Sequence, residues 1–275
     1  MGDTEPYPRD LGVAHPTVPL PREQAAVAAP RRRRRWPWVV GIVVVLAGLV
    51  VAGEFIARAV VADVVRSEAI KALELPEEQK IDVQSDGFVL LQLLSGRLDR
   101  LHVSSDEVRV GPLTGAVEAE GTGIPLRGGE LSSAEATVRV TAAQLAAALT
   151  TTQLPLEEIS ITGSDVTASG TFDVLGVDVP ISLTLTPDAD DGDLVLTPVS
   201  ASVVGATLDA AELRRQFGGL VDGLLDPRAV CIADRLPAGV HLRSLQAIDG
   251  ELVAGFDIDG AIAADPALRE KGTCD

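Results

Sequence analysis

Five consecutive arginines, Arg31 to Arg35, lead into Trp36-Pro37-Trp38 and then into an almost purely aliphatic stretch, Val39 to Gly53. No other feature constrains the fold so tightly, because Val39 to Val51 offers no polar face and a soluble surface helix needs one. As a helix, Trp36 to Gly53 covers roughly 27 Å at about 1.5 Å per residue, close to the hydrocarbon thickness of a bilayer. Tryptophans favour the headgroup region, and arginine clusters stay on the cytoplasmic side. The sequence therefore predicts one crossing, with the amino terminus inside and everything after Gly53 outside. A cleaved secretory signal is the rival reading, with Val51-Ala52-Gly53 as a poor cleavage site, although about 35 residues ahead of the apolar run is long for one. Both readings export the carboxy-terminal part.

Charge divides along the same line. The 275 residues carry a net charge of -17. Residues 1–58 hold eight of the 23 basic and five of the 40 acidic residues, leaving 15 against 35, a net charge of about -20, for the remainder. Such a field repels nucleic acid and anionic membrane surfaces, which excludes a nucleic-acid partner. Any lipid contact has to come from apolar burial. Aromatic residues make up 3% of the chain, too few to furnish the flat platforms of a sugar-binding cleft. Cys231 and Cys274 both fall on the exported side, where a disulfide persists, and no Cys-x-x-Cys points to redox work.

Three regions follow: a tail over residues 1–35, rich in Pro, Ala and charge and expected to be disordered in the cytoplasm; a signal anchor over 36–58; and an exported domain over 59–275. Past the apolar run, Ala57, Val61, Val65, Ala69 and Leu73 recur every four residues with charged residues between them, and Pro76 follows. That rhythm predicts a helix whose apolar stripe packs on the domain. From Lys80 the period drops to two. Strands are expected at Ile81–Val83, Leu101–Val103, Val108–Val110, Val117–Ala119, Ala136–Val140, Ile159–Ile161, Val166–Val174, Val177–Leu185, Leu194–Val203, Val240–Leu245 and Leu252–Ile258. Two helices interrupt them, Thr141 to Leu149 with Thr141 as a cap, and Leu208 to Leu225 with Asp209 near the cap position. The fold class is α+β: a long, curved antiparallel sheet with helices packed on one face, preceded by one transmembrane helix.

One segment breaks the alternation. Gly87-Phe88-Val89-Leu90-Leu91-Gln92-Leu93-Leu94-Ser95-Gly96-Arg97 reads by itself as a short buried helix or turn. Its order, after a single span, a helix and a strand ending near Val83, resembles the LmeA-like phospholipid-binding proteins of actinobacterial cell envelopes. The resemblance continues through Thr141-Ala142-Ala143-Gln144-Leu145 and Leu236-Pro237-Ala238-Gly239-Val240, covering roughly Phe55 to Ile258. The chain departs from the family at Val89-Leu90, where Pro-Phe is common, and in its two cysteines.

The resemblance implies a tubular-lipid-binding-like fold with an apolar groove for acyl chains and a role in handling phospholipid or lipid-linked precursors. Within that picture Phe88, Leu90, Leu91, Leu93 and Leu94 are candidates for the groove or its mouth. Arg97 could meet a phosphate bidentately, or pair with one of the many carboxylates.

The chain offers few residues in catalytic or metal-binding patterns. His15 lies in the tail, and His102 and His241 fall in predicted strands. There is no Gly-x-Ser-x-Gly elbow, no phosphate-cradling glycine motif and no cysteine with a histidine at motif spacing. Asp188, Asp190, Asp191 and Asp193 around Gly192 resemble the start of a calcium loop, but Val199 stands where the bidentate glutamate belongs. A solvated hairpin tip is the simpler reading, so no metal and no cofactor are expected. The sequence is thus expected to encode a non-enzymatic phospholipid binder or carrier, anchored in the plasma membrane and working on its outer face, with envelope biosynthesis enzymes as possible partners. A scaffold that binds no lipid is the alternative, and an envelope hydrolase lacks a convergent site.

Overall fold

A 37-residue helix, α1 (Trp36–Ala72), is the first element in the computed structural model, which describes residues 2, 36–72, 75–110, 113–149, 156–174, 177–217 and 225–274. The predicted tail lies outside the described residues, apart from Gly2. Helix α1 starts in one compact unit, Met1–Leu46, and continues into a second, Ala47–Asp275. Pro37 falls in its first turn, where a missing N–H costs nothing. Trp36 through Ala52 are exposed on every side, and the helix is long and apolar enough to cross a membrane, its most apolar 18-residue stretch having mean hydropathy 2.7.

From Glu54 the helix changes character. Ala57 and Val61 are buried, and Val65, Ala69 and Ile70 are half-buried against the domain, which is the stripe expected from the four-residue rhythm. Leu73 lies outside the described residues.

The strands run antiparallel throughout, and the expected α+β class holds, with the sheet divided in two. The first sheet has the order β1 (Asp82–Ser85), β2 (Arg97–Val110), β3 (Leu113–Pro125), β4 (Ser133–Thr141), β12 (Glu251–Ile258), β11 (Val240–Ile248). The second runs β10 (Arg228–Val230), β8 (Asp193–Val203), β7 (Val177–Asp190), β6 (Asp165–Val174), β5 (Leu156–Thr162), with β9 (Ala206–Asp209) also on β8. Strand β11 packs against β7, and Leu242, Leu245 and Ala247 on it are buried.

Alternation gives each sheet one apolar and one polar face. In the first sheet, register aligns Val83, Val103, Ala119, Ala136, Phe256 and Leu242 in one row across six strands. The next row, on the opposite face, reads Gln84, His102, Glu120, Glu135, Asp257 and His241. Arginines thread that polar face: Arg139 meets Glu118 at 2.8 Å, Arg243 meets Glu135 at 2.9 Å and Asp257 at 3.1 Å, and Arg100 meets Glu120 at 3.3 Å. Hydrogen bonding to Glu118 holds the Arg139 guanidinium above its usual pKa, and Glu135, with the Asp257 charge, does the same for Arg243.

Local chemistry sets the connections. Helix α3 (Ala142–Leu149) carries a reciprocal cap, in which the Gln144 N–H donates to Thr141 Oγ1 at 3.3 Å and the Thr141 N–H donates to Gln144 Oε1 at 2.9 Å. Helix α4 (Ala210–Phe217) begins after Asp209, whose carboxylate accepts from the Glu212 N–H at 2.6 Å. Leu208 belongs to β9 instead, and residues 218–224 of the expected helix lie outside the described residues, as does the Phe217 side chain. Cys231 and Cys274 are joined by a disulfide across 43 residues.

Candidate functional site

The segment that breaks the alternation folds as a seven-residue helix, α2 (Val89–Ser95), between two glycines with positive φ. Gly96, at φ +79°, is its left-handed cap, and its N–H donates to the carbonyls of Gln92 and Leu93. Gly87, at φ +74°, is required twice over, since a β-carbon there would lie 2.6 Å from Gln92 Nε2. Gln92 can yield only by giving up its own hydrogen bonds. It is buried, donates to the Asp86 carbonyl at 2.8 Å and accepts from the Asp99 N–H at 3.1 Å, so it ties both ends of the segment together.

Phe88 stands at the amino-terminal cap of α2 and supplies no side-chain acceptor. Glu54 takes over from another helix, accepting the N–H groups of Val89 and Leu90 at 2.9 Å each. The same carboxylate receives Arg58 Nε at 2.7 Å, and Arg58 reaches on to the carbonyls of Ser85 at 3.1 Å and Gly87 at 2.5 Å. Two turns and more further along α1, Arg66 donates twice to the Ile81 carbonyl, both at 3.1 Å. A carboxylate beside two orphan amides at a helix start is a favourable charge-assisted arrangement. Sequence reading passed over Glu54, Gly87 and Gln92. Glu54 had left a signal, being the lone charged residue between Trp36 and Ala57.

The six candidate residues separate by direction. Leu90 and Leu93 turn inward and pack on the cluster of Ala57, Val61, Val89 and Leu98. Phe88, Leu91 and Leu94 turn outward with 44%, 62% and 76% of their surface exposed. Arg97 is used by the backbone: its Nε donates to the Gly123 carbonyl at 2.9 Å and a terminal nitrogen to that of Glu130 at 3.3 Å, bracing the β3–β4 hairpin.

The second sheet offers aliphatic surface of another kind. On its apolar face, Ile159, Ala168, Leu183, Ala201 and Leu208 align in one row, with Gly170, Ile181 and Val203 in the neighbouring one. Ile159 is buried, whereas Leu183 and Val203 remain 39% and 46% exposed. Among the described residues, Val89 is the one large side chain that is fully buried. Protein interiors normally close-pack, so aliphatic faces left half covered are surface awaiting a cover.

Cavities elsewhere have different linings. One of about 810 Å³ is bordered by Glu78, Lys80, Asp82, Asp106, Glu107 and Arg109, and another of about 230 Å³ by Glu157, Ser169, Thr171 and Ser182. Both are polar. The acidic cluster is the tip of the β7–β8 hairpin, where Asp191 and Gly192 adopt positive φ in a two-residue turn. Among the described residues, no group of three or more His, Cys, Asp or Glu side chains is placed to hold a metal ion.

The described residues thus form an antiparallel α+β domain with a half-covered aliphatic face on its second sheet and a leading helix long and apolar enough to cross a membrane. The sequence model of the LmeA-like phospholipid-binding family matches residues 52–256, and the chain belongs to that family. No curated protein and no solved structure gives a significant match.

Proposed function

We propose that the protein is a non-enzymatic phospholipid binder or carrier, held in the plasma membrane by residues 36–58 and working on the outer face through residues 59–275. The last turn of the anchor, with Glu54, Ala57 and Arg58, also contacts the domain. The observation that carries the reading is the half-covered aliphatic face of the second sheet, around Leu183 and Val203. Moving a sixteen-carbon acyl chain out of a bilayer needs compensation of about 13 kcal/mol, at about 0.8 per methylene. Continuous Val, Leu and Ile surface is the material that can supply it, and membership of a phospholipid-binding family supports the choice of ligand. Phe88, Leu91 and Leu94 would contact lipid at the mouth, Leu90 and Leu93 would back them from the core, and Arg97 would hold the hairpin beside them. A role in envelope biogenesis, with biosynthetic enzymes as partners, follows from exported lipid handling.

Native mass spectrometry of the full chain from a bacterial envelope, paired with lipid extraction, tests this. A stoichiometric co-purified phospholipid is the expected result. A clean apo mass, with no uptake from added phospholipid vesicles, would sink the reading and leave a scaffold. Protease added outside intact cells is expected to remove the domain and spare the tail.

A further inference from the structure

We propose that Phe88, Leu91 and Leu94 form an apolar ridge that enters the headgroup–acyl boundary of the bilayer crossed by the residues before Glu54. The inference rests on the membrane-anchored reading above and adds to it the surface through which lipid is approached. The three residues recur every third position, so their side chains stand together on one side of the segment. Their inner neighbours Val89, Leu90 and Leu93 are packed against Ala57 and Leu98, so this exposure is fixed by the core.

Three observations select a bilayer over a protein as the occupant. Glu54, which fastens both amides at the start of α2, directly follows the aliphatic run, so the ridge is tied to the residue at the edge of the span. Phe55 and Ile56, next in the chain, are also exposed and extend the apolar surface on the same side of that boundary in sequence. Finally, residues 59–275 carry a net charge of about -20, which repels anionic headgroups and favours contact by insertion of uncharged side chains.

The test uses the full chain in vesicles of phosphatidylcholine and phosphatidylglycerol, some containing lipids spin-labelled near the glycerol end of the acyl chain. The native cysteines are paired with each other, so Leu91→Cys, Leu94→Cys and Asp191→Cys each introduce a single reactive thiol for an environment-sensitive fluorophore. Both leucines are exposed, and melting curves of the labelled variants check that the fold is kept. Labels at 91 and 94 are expected to be quenched several-fold more strongly than the label at 191, which sits on the hairpin tip. Equal quenching at the three positions would overturn the proposal and leave the ridge for a protein partner. Bound phospholipid in the mass spectra together with unquenched labels at 91 and 94 would reject the ridge and keep the lipid-binding function. Quenched labels without bound lipid would do the reverse.

Discussion

Glu54 accepts the backbone N–H of Val89 at 2.9 Å across 35 residues, so a side chain at the end of the apolar run supplies the cap that α2 lacks. Hydrogen exchange should register this directly. Glu54→Ala removes both acceptors, and the amides of Val89 and Leu90 should exchange on the order of tenfold faster, each having lost about one hydrogen bond of local protection. Glu54→Gln keeps one acceptor oxygen and should fall between. Unchanged exchange in Glu54→Ala would show that the cap does not hold the helix.

The two sides of α2 should respond oppositely to substitution. Leu98 is buried beneath the helix, and Leu98→Ala should cost about 2–5 kcal/mol through lost transfer energy and a residual cavity. Leu94→Ser on the exposed side should stay within about 0.5 kcal/mol of the parent. Urea melts of the two variants decide the matter, and a large loss in Leu94→Ser would mean that its side chain is packed. Leu91→Asp should likewise leave the fold intact while abolishing co-purification of phospholipid.

Gly87 and Gly205 both hold positive φ, but only the first faces a neighbour. Gly205→Ala should cost about 1–2 kcal/mol for the left-handed backbone alone. Gly87→Ala adds a β-carbon against Gln92 Nε2, and relieving that contact breaks the hydrogen bonds of a buried amide. Thermal melts should therefore rank Gly87→Ala clearly below Gly205→Ala. Equal losses would mean that Gln92 shifts without penalty.

The disulfide closes a span of 43 residues, and the chain-entropy model assigns such a loop about 4 kcal/mol. Cys231→Ser should lower the midpoint of unfolding accordingly. Peptide mass spectra under non-reducing conditions should yield the Cys231–Cys274 pair, and free thiols at those positions would contradict it.

Much of this architecture could be read from periodicity. The recurrence of Ala57, Val61, Val65 and Ala69 announced a packed helical stripe, and period-two runs located most strands, because both are local consequences of burial on one face. Leu101–Val103 and Val108–Val110 read as separate strands yet belong to one, β2. A register shift between Ser105 and Val108 interrupts its alternation, as a bulge does. Arg228–Val230 left no signal, since all three of its residues are exposed and any sequence can form such a strand. The division into two sheets was also hidden, because strand order depends on pairings such as β4 with β12, far apart in the chain. At the candidate site, composition revealed the apolar residues but not their directions. Which leucines face inward is decided by Gln92, whose partners Asp86 and Asp99 lie outside the motif, and by Glu54, which lies far upstream.

The borrowed cap also has a consequence for biogenesis. A seven-residue helix with no acceptor at its own start lies well below the length that persists alone in water. Until Glu54 arrives, residues 88–95 are therefore an unstructured apolar segment, and the nascent chain shows its hydrophobic side chains without order. Docking of α1 converts them into an aligned surface, so order in the segment is conditional on placement of the helix that precedes the domain.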